Sequence, residues 1–262
     1  DILFNICNSD NKIFDSVMLW LGYCLTGSTK EQKFFNFAGY TASNGKSTLN
    51  TLFSEAFHIY SRKFDSRTFN IDYSTKRHKQ FSELSNKPIR FVFLEEIDEK
   101  KELEISVIKD FVSGGRINNE VMFGTSEEIE INAKLNIFCQ QDPNFITDAG
   151  IKRRGLTCYF TNRYLEPDLY ELEKHKKNVF LRDNKIIDKF VKKDSVKLAF
   201  FHILLEYVQE YIDHGFNKMS KEFTENFKQT AEENDKTKDF IENNFIITND
   251  FNDRIGKSSI YE

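Results

Sequence analysis

Cysteine, proline and tryptophan are scarce in this 262-residue sequence, which holds four Cys, three Pro and one Trp. The cysteines, Cys7, Cys24, Cys139 and Cys158, are widely spaced and none belongs to a Cys-x-x-Cys pair. That spacing argues against a zinc site or a disulfide framework, and for buried reduced thiols in a reducing, intracellular compartment. No apolar run approaches the roughly 20 residues that a membrane-spanning helix needs, so no membrane partner is expected. Positive charge is not in excess either: 37 Lys and Arg stand against 41 Asp and Glu, for a formal net charge of −4. Composition therefore lacks the basic balance of many nucleic-acid-binding domains, and any such contact must come from a local cluster. Internal repeats, low-complexity tracts and flexible linkers are missing. So are an initiator Met, a charged-then-apolar leader and a terminating pattern after Ser258-Ser259-Ile260-Tyr261-Glu262, which leads us to expect a piece of a longer protein.

What the chain does have is aromatic mass, 27 Phe and 10 Tyr within an apolar fraction of 39%, enough to fill a core. The length suits one α/β domain with an appended helical piece. Residues Phe14 to Gly27 carry apolar side chains at near-helical spacing, and Phe34 to Ala38 reads as a short buried strand. A helix is predicted to start inside Gly45-Lys46-Ser47-Thr48 and run through Phe57. A polar, basic stretch that includes Lys76-Arg77-His78-Lys79 leads to a second buried strand over Ile89 to Leu94. Leu103 to Val112 reads as a helix stopped by Gly114-Gly115, and Arg116 to Phe123 with Ile129 to Ile131 as hairpin arms around Gly124-Thr125. Leu135 to Cys139 is a third short buried strand. After Pro167 the sequence turns charged and helix-rich: Leu198, Phe201, Leu205, Val208 and Ile212 follow helical spacing, and Lys221 to Phe245 reads as a solvated helix.

The strongest motif is Gly39-Tyr40-Thr41-Ala42-Ser43-Asn44-Gly45-Lys46-Ser47-Thr48, placed between a strand and a helix as a phosphate-binding loop must be. Backbone amides from Gly39 and from Ala42 to Thr48, together with the helix N-terminus, are suited to cradle phosphates. Lys46 is expected to reach the β and γ phosphates of a nucleotide, ATP, and Ser47 to offer a hydroxyl to Mg²⁺. Five residues, rather than the usual four, separate Gly39 from Gly45. Either the loop is one residue wider or Tyr40 occupies the place of the first glycine. Downstream, Arg90-Phe91-Val92-Phe93-Leu94-Glu95-Glu96 delivers two carboxylates at the end of a strand, where ligands bind in parallel α/β sheets. We assign Glu95 to the metal and Glu96 to the attacking water, because phosphoryl transfer relies on positioning and charge stabilisation. A P-loop kinase uses the same loop, and a nucleotide-switched ring that assembles without unwinding would need the same binding site.

Taken in order, Trp20 to Gly27, Glu31 to Phe35, Ser43 to Thr48, Arg90 to Glu96, Lys109 with Ser113-Gly114-Gly115, and Asp148, Gly150, Arg153 and Arg154 resemble the superfamily 3 helicase domain of the primase-helicases of large DNA viruses and some phages. The resemblance implies an AAA+ P-loop fold, a mainly parallel sheet flanked by helices. It also implies ATP hydrolysis at the subunit boundaries of a homo-oligomeric ring, a hexamer, that moves on single-stranded or forked DNA at a viral replication site in the host cell. A primase domain upstream is a further expectation. By the same resemblance Gln140, with Gln141 as its near alternative, would sense the γ phosphate; Gln keeps both a donor and an acceptor for that task. Arg153 or Arg154 would be the cation supplied to the neighbouring subunit's nucleotide, Arg153 being favoured. DNA contact is expected from the hairpin after Gly115 and from Lys109, Arg116 and Lys134, since the tip Phe123-Gly124-Thr125-Ser126-Glu127 carries no basic residue. The organisation so implied is an N-terminal helical region over 1–33, an ATPase core over 34–166, a helical lid over 167–245, and from 246 to 262 the start of a winged-helix region.

Overall fold

Strands buried on both faces need apolar side chains at most positions, and the Phe-, Ile- and Leu-rich runs of this sequence supply them. In the computed structural model, which describes residues 1–98, 101–119, 127–145 and 148–233 with Asn244 and Thr248, four largely buried strands and one short polar edge strand form one all-parallel sheet. In chain order, the elements begin with helices α1 (Ile2–Ile6) and α2 (Asn11–Leu25), strand β1 (Phe34–Ala38), α3 (Lys46–Ala56), β2 (Ser61–Lys63), α4 (Ser74–Ser82) and β3 (Phe91–Glu95). Next come β4 (Glu102–Leu103), α5 (Ile105–Ser113), the pair β5 (Gly115–Asn119) and β6 (Glu127–Ile131), then β7 (Lys134–Phe138), β8 (Asn144–Phe145) and α6 (Ala149–Lys152). The chain continues through β9 (Gly155–Tyr159), β10 (Arg163–Leu165), α7 (Pro167–Glu173), β11 (Val179–Leu181), α8 (Asp194–His214) and α9 (Lys221–Glu233). The central order is β2-β3-β7-β1-β9.

Successive side chains on a strand point to opposite faces, and the two cores divide accordingly. Phe35, Phe37, Phe91, Phe93, Leu156 and Cys158 face α2, α3 and α8, whereas Phe34, Val92, Leu94, Leu135 and Ile137 face α5 and the apolar side of α9. Asp10 caps α2 by accepting from the amides of Lys12 and Ile13 at 2.7 and 3.1 Å. The Trp20 indole nitrogen of the same helix donates to Asn136 Oδ1 at 2.7 Å, which pins the helix to the middle strand. All four cysteines are free and buried.

Three expectations are revised. Leu103 lies in the short strand β4 and the helix starts at Ile105. Helix α8 forms, but the spaced residues Leu198, Phe201, Leu205 and Ile212 are exposed; Phe200, Leu204 and Tyr211 turn inward instead. Helix α9 is not simply solvated, because Phe223, Phe227 and Ala231 are buried against the sheet. The hairpin arms pair antiparallel as expected. Its tip, Phe123 to Ser126, and the segment expected to begin a winged helix lie outside the described residues, Thr248 excepted.

Candidate nucleotide site

Parallel register brings the chemistry to one edge of the sheet. Phe138 pairs with Phe37 on one side and with Glu95 on the other, so the loop after β1, the acids ending β3 and Gln140 emerge side by side. They line one cleft of about 1070 Å³, at the upper end of the roughly 300–1,000 Å³ usual for small-molecule sites.

The loop closes on its own lysine. A Cβ on Gly39 would lie 2.6 Å from Lys46 Nζ, 2.9 Å from Asn44 Oδ1 and 3.0 Å from the Phe160 carbonyl oxygen, so a side chain there would displace the lysine from its place. Gly39 therefore sits beside Lys46, while Tyr40 bulges outward, 66% exposed; the loop is one residue wider, and Tyr40 does not replace the first glycine. Ser43 and Gly45 adopt left-handed φ values of 62° and 83°, a conformation that costs little only at glycine. At Gly45 a Cβ would also meet Ile6 Cγ1 at 2.7 Å. Lys46 donates to the Gly39 carbonyl at 3.4 Å and to Asn44 Oδ1 at 3.2 Å, and burial lowers its pKa from the ordinary lysine value. Asn44 is buried and donates to Thr41 Oγ1 at 3.0 Å and to the Asn162 carbonyl at 2.9 Å.

The two acids differ in their surroundings. Glu95 accepts from Asn50 Nδ2 at 2.8 Å and pairs with Lys63 at 2.6 Å. Glu96 is exposed in the cleft with φ +56°, an unusual backbone state for a non-glycine residue, of the kind that clusters at working sites. Ala42, Ser43, Ser47 and Thr48 also line the cleft, and Gln140 does so where Gln141 does not. The Ser47 hydroxyl and the carboxylates are hard oxygen donors, as Mg²⁺ prefers. Among the described residues no group of three or more His, Cys, Asp and Glu could hold a metal by itself; a Mg²⁺ ion sharing phosphate oxygens and waters needs fewer protein ligands.

Sequence reading missed part of the lining. Ile2 and Ile6 of α1, Tyr164, Phe180, Ile186 and Ile187 also line the cleft, with Ile6 and Tyr164 packed against Gly45 of the loop. The Tyr164 and Phe180 rings stack at 5.5 Å with 29° between their planes, and the Tyr164 amide donates to the Ser43 carbonyl at 2.9 Å. Burial pushes the Tyr164 hydroxyl up to about 12. The cleft thus combines a lysine- and glycine-bearing loop with apolar and aromatic side chains, surfaces that complement the anionic phosphates and the flat base of a nucleotide. Nothing in the local sequence around Tyr164 or Phe180 signals this, because their place depends on β10 pairing with β11.

The remaining candidates lie outside the cleft. Arg153 is exposed at the end of α6 and donates to Gln32 Oε1 at 3.0 Å. Arg154 is more enclosed, donating to the Gly150 carbonyl at 2.9 Å and to Ser113 Oγ at 3.4 Å. Lys109 pairs with Asp148 at 2.7 Å, and Arg116 with Glu128 at 3.0 Å. Lys134 corrects an expectation: it is 2% exposed, donates to the Thr26 and Asn132 carbonyls and lies 4.7 Å from the Tyr23 ring centroid. An ammonium so enclosed cannot reach a DNA strand. In the basic stretch Lys76 to Lys79, Arg77 is likewise structural, bonded to the Thr68 and Asn70 carbonyls and paired with Glu104 at 2.7 Å.

No protein-family model matches the chain. In sequence it is 24% identical over 256 residues to the Sputnik virophage protein named "Putative helicase V13", a match that covers 92% of this chain and 31% of that protein. In fold it is similar to the NrS-1 C-terminal region, with TM-scores of 0.55 and 0.51 in two apo structures at 12% and 13% identity. The chain is thus similar in sequence to a viral protein named as a helicase and in fold to the NrS-1 region. It spans about a third of the virophage helicase and half of the NrS-1 region, covering 88% of its own length in each structural match. No helix among the described residues is long and apolar enough to cross a membrane.

Proposed function

We propose that this helicase-like domain is an ATP-hydrolysing motor that acts in viral DNA replication. One observation carries the reading: Lys46, Ser47, Glu95, Glu96 and Gln140, drawn from three separate strand ends, line a single cleft together with Tyr164 and Phe180. In this reading the loop amides and Lys46 bind the triphosphate, Ser47 and Glu95 hold Mg²⁺, and Glu96 orients the attacking water. Bound Mg²⁺ would neutralise charge developing on the β and γ oxygens. Taking up the metal requires Glu95 to loosen its contact with Lys63. Tyr164 and Phe180 would stack near the adenine, and the helices after Pro167 would act as the lid.

Arg153 completes the proposal. It lies outside its own cleft, as a cation offered to a neighbouring subunit must, and a ring, hexameric by resemblance, would supply that neighbour. Movement along single-stranded or forked DNA would follow from hairpin motion, with Lys109 and Arg116 reaching phosphate only by leaving their acidic partners. An upstream primase belongs to the same proposal.

The test is steady-state ATPase with and without single-stranded DNA for the parent, Lys46→Ala and Glu96→Gln. Turnover should fall by at least about 10²-fold in both variants, with nucleotide binding retained only in Glu96→Gln. Undiminished activity in Lys46→Ala would overturn the assignment of the loop. DNA-stimulated turnover would set the chain apart from a small-molecule kinase, and strand separation from a ring that only assembles.

A further inference from the structure

Tyr40 is the residue by which the phosphate loop exceeds the usual spacing, and its side chain has a definite seat. The ring stacks on Tyr159 at the end of β9, with centroids 5.2 Å apart and planes 20° from parallel. Its hydroxyl donates to Asp142 Oδ2 at 3.1 Å, an oxygen that also accepts from the Tyr159 hydroxyl at 2.8 Å. Tyr159 in turn lies 2.9 Å from Thr230 Oγ1 on α9. Asp142 stands two residues beyond Gln140, in the turn between β7 and β8. One carboxylate therefore ties together the extra residue of the loop, the turn bearing Gln140 and the end of β9.

Core filling does not account for this cluster, because Tyr40 remains 66% exposed despite its stack. Hydrolysis, by contrast, needs what the cluster provides. A water-orienting side chain displaced by about 1 Å can cost on the order of 10²-fold in rate. Gln140 is exposed, so its position follows the backbone of its turn. The hydrogen bond between Tyr40 and Asp142 joins that turn to the phosphate loop through side chains.

We propose that Tyr40, Tyr159 and Asp142 form a clamp that sets the Gln140 turn against the phosphate loop, making Tyr40 and Asp142 positioning residues for hydrolysis. This rests on the reading of the cleft as a triphosphate-hydrolysing site. Its scope is the distance between the bound phosphates and Gln140, not the affinity for nucleotide.

The test compares the parent with Tyr40→Phe, Asp142→Ala, which removes the acceptor, and the double variant, measuring kcat, KM, direct ATP binding and thermal stability. Tyr40→Phe keeps the ring stack and removes only the hydrogen bond from an exposed residue, so its melting temperature should stay within about 2 °C of the parent. The clamp predicts that kcat falls about tenfold in each single variant, while ATP affinity changes by less than about threefold. It also predicts that the double variant turns over no more slowly than Asp142→Ala, since both changes break the same bond. Unchanged kcat, a parallel loss of affinity and kcat, or fully additive losses would each overturn the clamp. A parent without ATPase activity would sink the underlying functional reading and the clamp with it, whereas an active parent with an unaffected Tyr40→Phe would sink the clamp alone.

Discussion

At the scale of single residues, burial decides what a charge can do. Lys134 was expected to contact DNA from its place before a strand; the fold instead folds it under α2, where desolvation lowers its pKa from 10.5 to about 8. A lysine whose folded pKa lies below its unfolded value holds fewer protons when folded, so stability rises with pH between those two values. The cost of the buried charge stands in full below pH 8 and is gone above about 10.5. Compared with Lys134→Met across that window, the parent should gain on the order of 2–3 kcal/mol in denaturant unfolding; a pH-independent difference would show that the ammonium is better solvated than its burial implies. Gly39 and Tyr40 make the opposite point about legibility. The motif and its extra residue were readable in the sequence, but which residue occupied the first glycine's place was not. Contact between Gly39 and Lys46 settles it, and that contact exists only once the loop has closed.

Among elements, the central strands were the most legible, because a strand covered on both faces is mostly apolar and the aromatic-rich run Phe34–Ala38, with Asn36 as its one polar residue, could be little else. Helices were less so. Helical spacing shows that an apolar stripe exists without showing which stripe faces inward: α8 carries two, and the one at Phe200, Leu204 and Tyr211 is buried while the other is exposed. In α9 abundant charge masked a short apolar face. Its Phe227 meets the Phe34 ring edge-on at 5.3 Å, and a Cβ on Gly155 would fall 2.4 Å from the Phe227 ring. Gly155→Ala should therefore destabilise the protein by about 1–3 kcal/mol through overpacking, and adding Phe227→Leu should restore part of that loss. Phe227→Ala alone should cost about 3–5 kcal/mol. Equilibrium denaturation checks all three, and a neutral Gly155→Ala would mean that α9 does not dock as described.

For the molecule as a whole, the proposed division of the site between subunits yields a test that single-variant kinetics cannot supply. Arg153→Ala and Lys46→Ala should each be inactive, yet an equal mixture should regain turnover. With random mixing in a head-to-tail ring, roughly a quarter of the interfaces would join an intact loop to an intact arginine. No recovery from a mixture shown to co-assemble would count against a cation supplied in trans. The pairing of Lys109 and Arg116 with acids, together with the enclosure of Lys134, also moves the question of DNA contact away from side chains named by position alone. The amino-acid sequence by itself determined the glycine- and lysine-bearing loop between a strand and a helix, the acid pair after a strand, the parallel α/β class and the likeness to a viral helicase, because these depend on local pattern and on motif order along the chain. Only the tertiary structure decided that Tyr164 and Phe180 line the cleft, that Lys134 is interior and that Tyr40 reaches Asp142. Each of those depends on strand register and helix packing between segments far apart in the chain, and no local spacing encodes them.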